Sequence, residues 1–173
     1  TQRDFDRTLS PRGREEAMAV AKWFDEHGVR FDRVVSSPAT RARETAELAV
    51  PGIAVEFDPA VYDATPGTLL AVLDRHAGGG RTLLVGHNPG LEQLVALLTE
   101  GRSDECRGLP TAGVARLAIA DDASGIRCPW SLINCKFART NTGLPMEPAL
   151  SLAPIVCSSH PRYFIRLYSL SER

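Results

Sequence analysis

The stretch RTLLVGHNPG, residues 81–90, passes from an unbroken apolar run into a histidine and then into an asparagine-proline-glycine turn. A half-buried strand alternates polar and apolar side chains, whereas a run without a polar break fits a strand covered on both faces. Gly86 allows close backbone approach. Asn88-Pro89 then opens a helix carrying Leu91, Leu94, Val95 and Leu98, with Asn88 as its cap. The segment therefore predicts strand, turn and helix, with His87 at the junction.

The same alternation extends outward on both sides. Thr65-Pro66 is a cap followed by proline at the first helical position, ahead of Leu69, Leu70, Val72 and Leu73, and Gly78-Gly79-Gly80 closes that helix. IAVEF (53–57) and DRVVSS (32–37) predict strands, the second bounded by Pro38, with a helix to about Ala49 that presents Ala42, Ala46 and Ala49 as a small face. Ser10-Pro11 caps a further helix in which Ala17, Val20, Ala21 and Phe24 recur at helical spacing until Gly28. Downstream, VARLAIA (114–120) alternates as a strand nearer an edge does. Strands alternating with helices imply an α/β fold of three layers, a mostly parallel central sheet with helices on both faces.

Length and composition agree with one domain of ordinary size: 173 residues, 43% hydrophobic and 24% charged. The net charge of −1 gives no basic surface for nucleic acid or anionic membrane, so neither is expected as a partner. No apolar run approaches the roughly 18 to 20 residues that span a bilayer, and TQRDFDR at the start is not a signal peptide, so the expected location is cytoplasmic. Cys106, Cys128, Cys135 and Cys157 form no CxxC pair. They read as structural thiols, with a disulfide or metal site in the second half as the alternative. The charge is uneven: residues 1–121 hold 14 Lys+Arg against 18 Asp+Glu, and residues 122–173 hold 6 against 3. The expected organisation is an α/β domain over 1–121 and an atypical C-terminal extension over 122–173, in which IVCSS and YFIRLYSL are candidate strands.

In open α/β sheets ligands collect beyond the carboxyl ends of the strands, where helix N-termini present free N–H groups. SSPATRARET (36–45) lies there, with Ser37 as expected cap and Pro38 as first helical residue. Arg41 then falls in the first turn, where its charge opposes the helix dipole unless an anion neutralises it, and a guanidinium fork suits phosphate oxygens. Arg43 lies about 200° further round the helix and faces elsewhere. On the residues alone Arg41 fits a phosphate ligand or a solvated surface. His87 fits a donor to a phosphoryl oxygen or a structural histidine. His27 and His76 fit helix C-termini, and His160 has no assigned role.

SSPATRARET followed by VGHNPG resembles the histidine phosphatase superfamily, with its phosphoglycerate-mutase-like fold. RDFDRTLSPRGREEA (3–17) and LPTAG (109–113) resemble more narrowly its SixA-type branch, the phosphohistidine phosphatases. The resemblance covers about residues 3–120. It implies a phosphate pocket in which Arg41 and His87 are catalytic and phosphate-binding, with Asp6, Arg7, Asn88, Thr111 and Ala112 as further pocket residues. Thr8 replaces the usual proline of the family's DFDRPL segment. It also implies a covalent phosphohistidine intermediate, no metal and no cofactor, and a phosphorylated protein or small phosphoester as partner. The short YDATPG loop leaves little room for a lid and favours the protein.

The family nucleophile is the histidine of an Arg-His-Gly motif ending a central first strand, and no Arg-His-Gly occurs in these 173 residues. The expectation is that this strand belongs just before Thr1, and that the chain as it stands is inactive. Asp63 and Glu92 are the carboxylates that could protonate a leaving group, with a structural role as the preferred reading for both. Two other readings stay open: a phosphatase of small phosphomonoesters, and a non-catalytic phosphate-binding or interaction domain.

Overall fold

The computed structural model describes residues 3–76, 80–103, 109, 112–119, 136–138 and 163–170. After a 3-10 turn at Asp4–Asp6, the elements run α1 (Pro11–Glu26), β1 (Arg33–Ser36), α2 (Thr40–Ala49), β2 (Val55–Phe57), a second 3-10 turn (Pro59–Val61), α3 (Pro66–Arg75), β3 (Gly80–His87), α4 (Gly90–Glu100), β4 (Val114–Ile119), β5 (Lys136–Ala138) and β6 (Tyr163–Leu170). The strands form a six-stranded sheet in the order β2-β1-β3-β6-β4-β5. β2, β1, β3 and β6 run parallel, while β4 is antiparallel to both β6 and β5.

The unbroken apolar run of β3 has the cause inferred for it. Leu83 and Val85 point to one side, where they meet Val20 and Phe24 of α1, Ala42, Ala46 and Ala49 of α2, and Val34 of β1. Leu84 points to the other, with Val35, Leu69, Val72, Leu91 and Leu94 from β1, α3 and α4. Helices α1 and α2 thus cover one face and α3 and α4 the other. Leu83, Leu84 and Val85 are fully buried, each contributing about 2 kcal/mol of apolar burial. Among the described residues no helix is long and apolar enough to cross a membrane.

The N-caps of α1 and α3 are as read: Ser10 Oγ accepts from Gly13 N at 3.1 Å and Thr65 Oγ1 from Thr68 N at 3.2 Å. Two other caps differ. Helix α2 starts at Thr40, with Ala39 at its N-cap, so Pro38 and Ser37 both precede the helix; Ser37 Oγ accepts from Ala39 N at 3.3 Å and also meets His87. Helix α4 starts at Gly90 after Pro89, and the Asn88 side chain accepts no backbone N–H of the helix but donates to the Glu92 side chain in its first turn and to Leu109 O. β4 lies near one edge of the sheet, as its alternation suggested, with only the short β5 beyond it.

YFIRLYSL is β6, a central strand, and its last residue Leu170 is the register partner of His87. IVCSS, the four cysteines, His160 and Thr111 lie outside the described residues.

Candidate functional site

The parallel register of β1 and β3 pairs Ser36 with Val85, and Ser37 N donates to Val85 O at 3.0 Å. The chain leaving β1 is therefore held beside the end of β3, where His87 emerges. Helix α2 begins three residues after Ser37, and its first turn carries Arg41 back over the same sheet edge. Ser37, Arg41 and His87 are all buried, Arg41 at 8% and His87 at 9% exposure.

Arg41 Nη2 lies 3.3 Å from His87 Nδ1, and His87 Nε2 lies 2.8 Å from Ser37 Oγ. The Tyr62 ring meets the imidazole edge-on at 5.4 Å. Burial first, and the Arg41 charge second, push His87 down to about 4, so its imidazole is neutral near pH 7. Asp63, exposed on the 62–65 loop with φ of 50°, acts weakly in the opposite direction through its charge.

A buried guanidinium requires a counter-ion. Asp4 supplies it: the Asp4 backbone carbonyl accepts from Arg41 Nη1 at 2.6 Å and Oδ2 from Nη2 at 2.9 Å. Tyr62 Oη also donates to Asp4 Oδ2, at 3.1 Å. The hydrogen bond from Arg41 is the main reason that the Asp4 carboxyl is held below its usual range. Burial, then the bond to Asp4, raise the Tyr62 phenol. Phe5 stacks edge-on against Tyr62 at 5.1 Å, on the solvent side of the pair.

Of the residues read from sequence, Arg41 and His87 are thus brought together. Arg7 Nη1 donates to Asp4 Oδ1 at 3.3 Å, and Asp6 Oδ2 accepts from Arg3 Nε at 2.9 Å. Asn88 Nδ2 donates to Glu92 Oε1 and to Leu109 O, both at 2.8 Å, and Leu109 N donates to Glu92 as well. Asn88 and Glu92 accordingly pin the start of α4 to residue 109. Ala112 is in the core against Val34 and Val85, with φ of 57°. Arg43 is exposed and its guanidinium covers the Phe57 ring at 5.0 Å. His27 stacks on Trp23, and His76 ends α3.

Nothing in the sequence singles out Asp4 or Tyr62. The available signal was the mismatch already noted, a cation at a helix N-terminus that needs an anion, and a carboxylate of the chain itself satisfies that need as well as a ligand does.

Residues 1–69 match the sequence model of the histidine phosphatase superfamily (branch 1). An uncharacterized protein of Mycobacterium tuberculosis is 35% identical over 127 residues, which cover 68% of this chain and 79% of the relative. Among solved structures, one from Agrobacterium tumefaciens, described as a candidate phosphohistidine phosphatase SixA, aligns with a TM-score of 0.60 at 28% identity, over 78% of this chain and 86% of that one. The protein histidine phosphatase SixA complexed with tungstate aligns with a TM-score of 0.62 at 26% identity, over 80% and 86%. The parallel sheet flanked by helices is the fold this chain has in common with those structures, and the chain belongs to the histidine phosphatase superfamily, in its SixA-type branch.

Proposed function

We propose that this chain holds the phosphoryl-binding part of a phosphohistidine phosphatase, with Arg41 and His87 as the groups that hold and stabilise the transferred phosphoryl group. The supporting observation is the buried pair itself: a guanidinium and an imidazole 3.3 Å apart at the carboxyl ends of parallel strands. Phosphoryl transfer requires donors preorganised around spreading negative charge, and a desolvated Arg beside a histidine provides them. In the full reaction a histidine nitrogen attacks phosphorus as the substrate's P–N bond breaks. Water then cleaves the enzyme's P–N bond and releases phosphate. That nucleophile belongs to an Arg-His-Gly strand, a motif missing from these residues. The present chain binds phosphate-like anions and does not turn over.

The test compares this chain with a form carrying an Arg-His-Gly strand ahead of Thr1, on a phosphohistidine protein and on an aryl phosphate. Activity confined to the extended form, and lost on Arg41→Ala or His87→Ala, is expected. Turnover by the present chain defeats the assignment of the nucleophile. Turnover of the aryl phosphate alone favours a phosphatase of small phosphoesters.

A second reading, a phosphate-binding domain without catalysis, is favoured by β6. That strand is central, ends opposite His87, and its sequence YFIRLYSL contains no histidine. Inactivity of both forms with retained anion binding decides for it.

A further inference from the structure

We propose that the Tyr62 hydroxyl is a ligand-binding donor of this site, and that Asp4 is the resident anion that a phosphoryl group must displace. The proposal rests on the reading of Arg41 as the phosphoryl-binding residue and adds to it a second donor and a competitor.

The geometry at one oxygen carries it. Asp4 Oδ2 receives two donors from different parts of the chain, Arg41 Nη2 at 2.9 Å and Tyr62 Oη at 3.1 Å. Two convergent donors on one anionic oxygen form a seat for any anionic oxygen, and charge-assisted bonds of this kind are the strong ones. The two donors are fixed from beneath. Arg41 is buried in the first turn of α2, and the Tyr62 ring is set by its edge contact to the buried His87 at 5.4 Å. The acceptor is not fixed in this way. The Asp4 side chain is 53% exposed, on a three-residue 3-10 turn with no buried residue. When the carboxylate swings out, Arg41 and Tyr62 stay and point at the vacated position, within reach of His87.

This role and one of merely holding Asp4 separate in a double-mutant cycle read by calorimetric titration with inorganic phosphate. Asp4→Ala, which removes the competitor, is expected to tighten phosphate binding about tenfold, the worth of one charge-assisted hydrogen bond. Tyr62→Phe keeps both ring contacts, and in the Asp4→Ala background it is expected to weaken binding by about three- to tenfold. If Tyr62 only holds Asp4, Tyr62→Phe tightens binding in the natural chain and does nothing in the Asp4→Ala background, which overturns the proposal. Unchanged or weaker binding in Asp4→Ala overturns it as well. Arg41→Ala identifies which idea has failed: loss of binding there with no effect at Tyr62 removes this inference alone. Binding that is insensitive to Arg41, or missing in every form, removes the underlying reading together with it.

Discussion

Arg41 Nη2 and His87 Nδ1 stand 3.3 Å apart, and because a guanidinium only donates, Nδ1 is the accepting nitrogen of that ring. The ring proton is then on Nε2, which donates to Ser37 Oγ at 2.8 Å. The site at rest therefore contains a neutral imidazole beside a permanent cation whose charge is met by Asp4. An incoming anion changes both terms, since it displaces Asp4 and favours imidazolium over imidazole.

Anion binding is accordingly expected to be coupled to proton uptake by His87. Sulfate is the suitable probe because it does not titrate near neutrality. In the free protein His87 is pushed down to about 4; with a dianion on Arg41 its value rises, so sulfate binds more tightly as the pH falls from 7 towards 5. Calorimetry in buffers of different ionisation enthalpy measures the protons taken up. His87→Gln should abolish the uptake, and a flat pH dependence in the natural chain counts against contact between the anion and His87.

Stability should fall with acid over a defined window. The folded value of His87 is depressed from 6.5 to about 4, so the unfolded chain binds more protons between those values. The contribution is fully present above 6.5 and is withdrawn as pH drops through about 4, a loss of about 3 kcal/mol at roughly 1.4 kcal/mol per pH unit. Asp4 and Asp58, both lowered below 3.8, withdraw their shares only at more acid pH. Urea midpoints compared at pH 7 and pH 4.5, in the natural chain and in His87→Gln, isolate the histidine. An equal acid loss in the two would assign the effect to other groups.

The sheet and its layers were legible because residues 83–86 of β3 are apolar without a break, and only burial on both faces requires that. Arg41 and His87 were legible through motif and position. The caps of α2 and α4 were misread for one physical reason: Ser37 and Asn88 are good capping residues locally, but other partners, the distant His87 for one and the Glu92 side chain and distant Leu109 carbonyl for the other, compete for the same side chains. The role of Asp4 lay outside local reasoning because its partners Arg41 and Tyr62 are 37 and 58 residues away in the chain.

Two glycines should respond oppositely to alanine. A Cβ on Gly90, the last residue of GHNPG, would come within 2.2 Å of the Ala64 carbonyl oxygen, so the start of α4 has to move away from the 62–65 loop. Gly90→Ala is expected to destabilise by about 3 kcal/mol, at the upper end for overpacking. Gly67, in the first turn of α3, has open space around its Cβ position. Gly67→Ala is expected to stabilise by about 0.5 to 1 kcal/mol through helix propensity and reduced freedom of the unfolded chain. Denaturant unfolding checks both, and similar values for the two would contradict the close approach at Ala64.

Replacing Arg41 should be felt at His87 in a graded way. Burial is the largest cause of the depressed histidine value and the Arg41 charge is the second. Arg41→Met removes the charge, keeps most of the apolar stem, and leaves Asp4 with an exposed carboxylate that solvent can satisfy. The His87 titration, followed by NMR of the imidazole carbons, should therefore move upward from about 4 but stop short of 6.5, because the ring stays buried beneath Tyr62 and Ser37. A return to 6.5 would mean that the ring becomes solvated once Arg41 is gone. No movement would mean that the guanidinium charge, though 3.3 Å away, is fully compensated by Asp4, and the free site would then present no net positive charge to an approaching phosphoryl group.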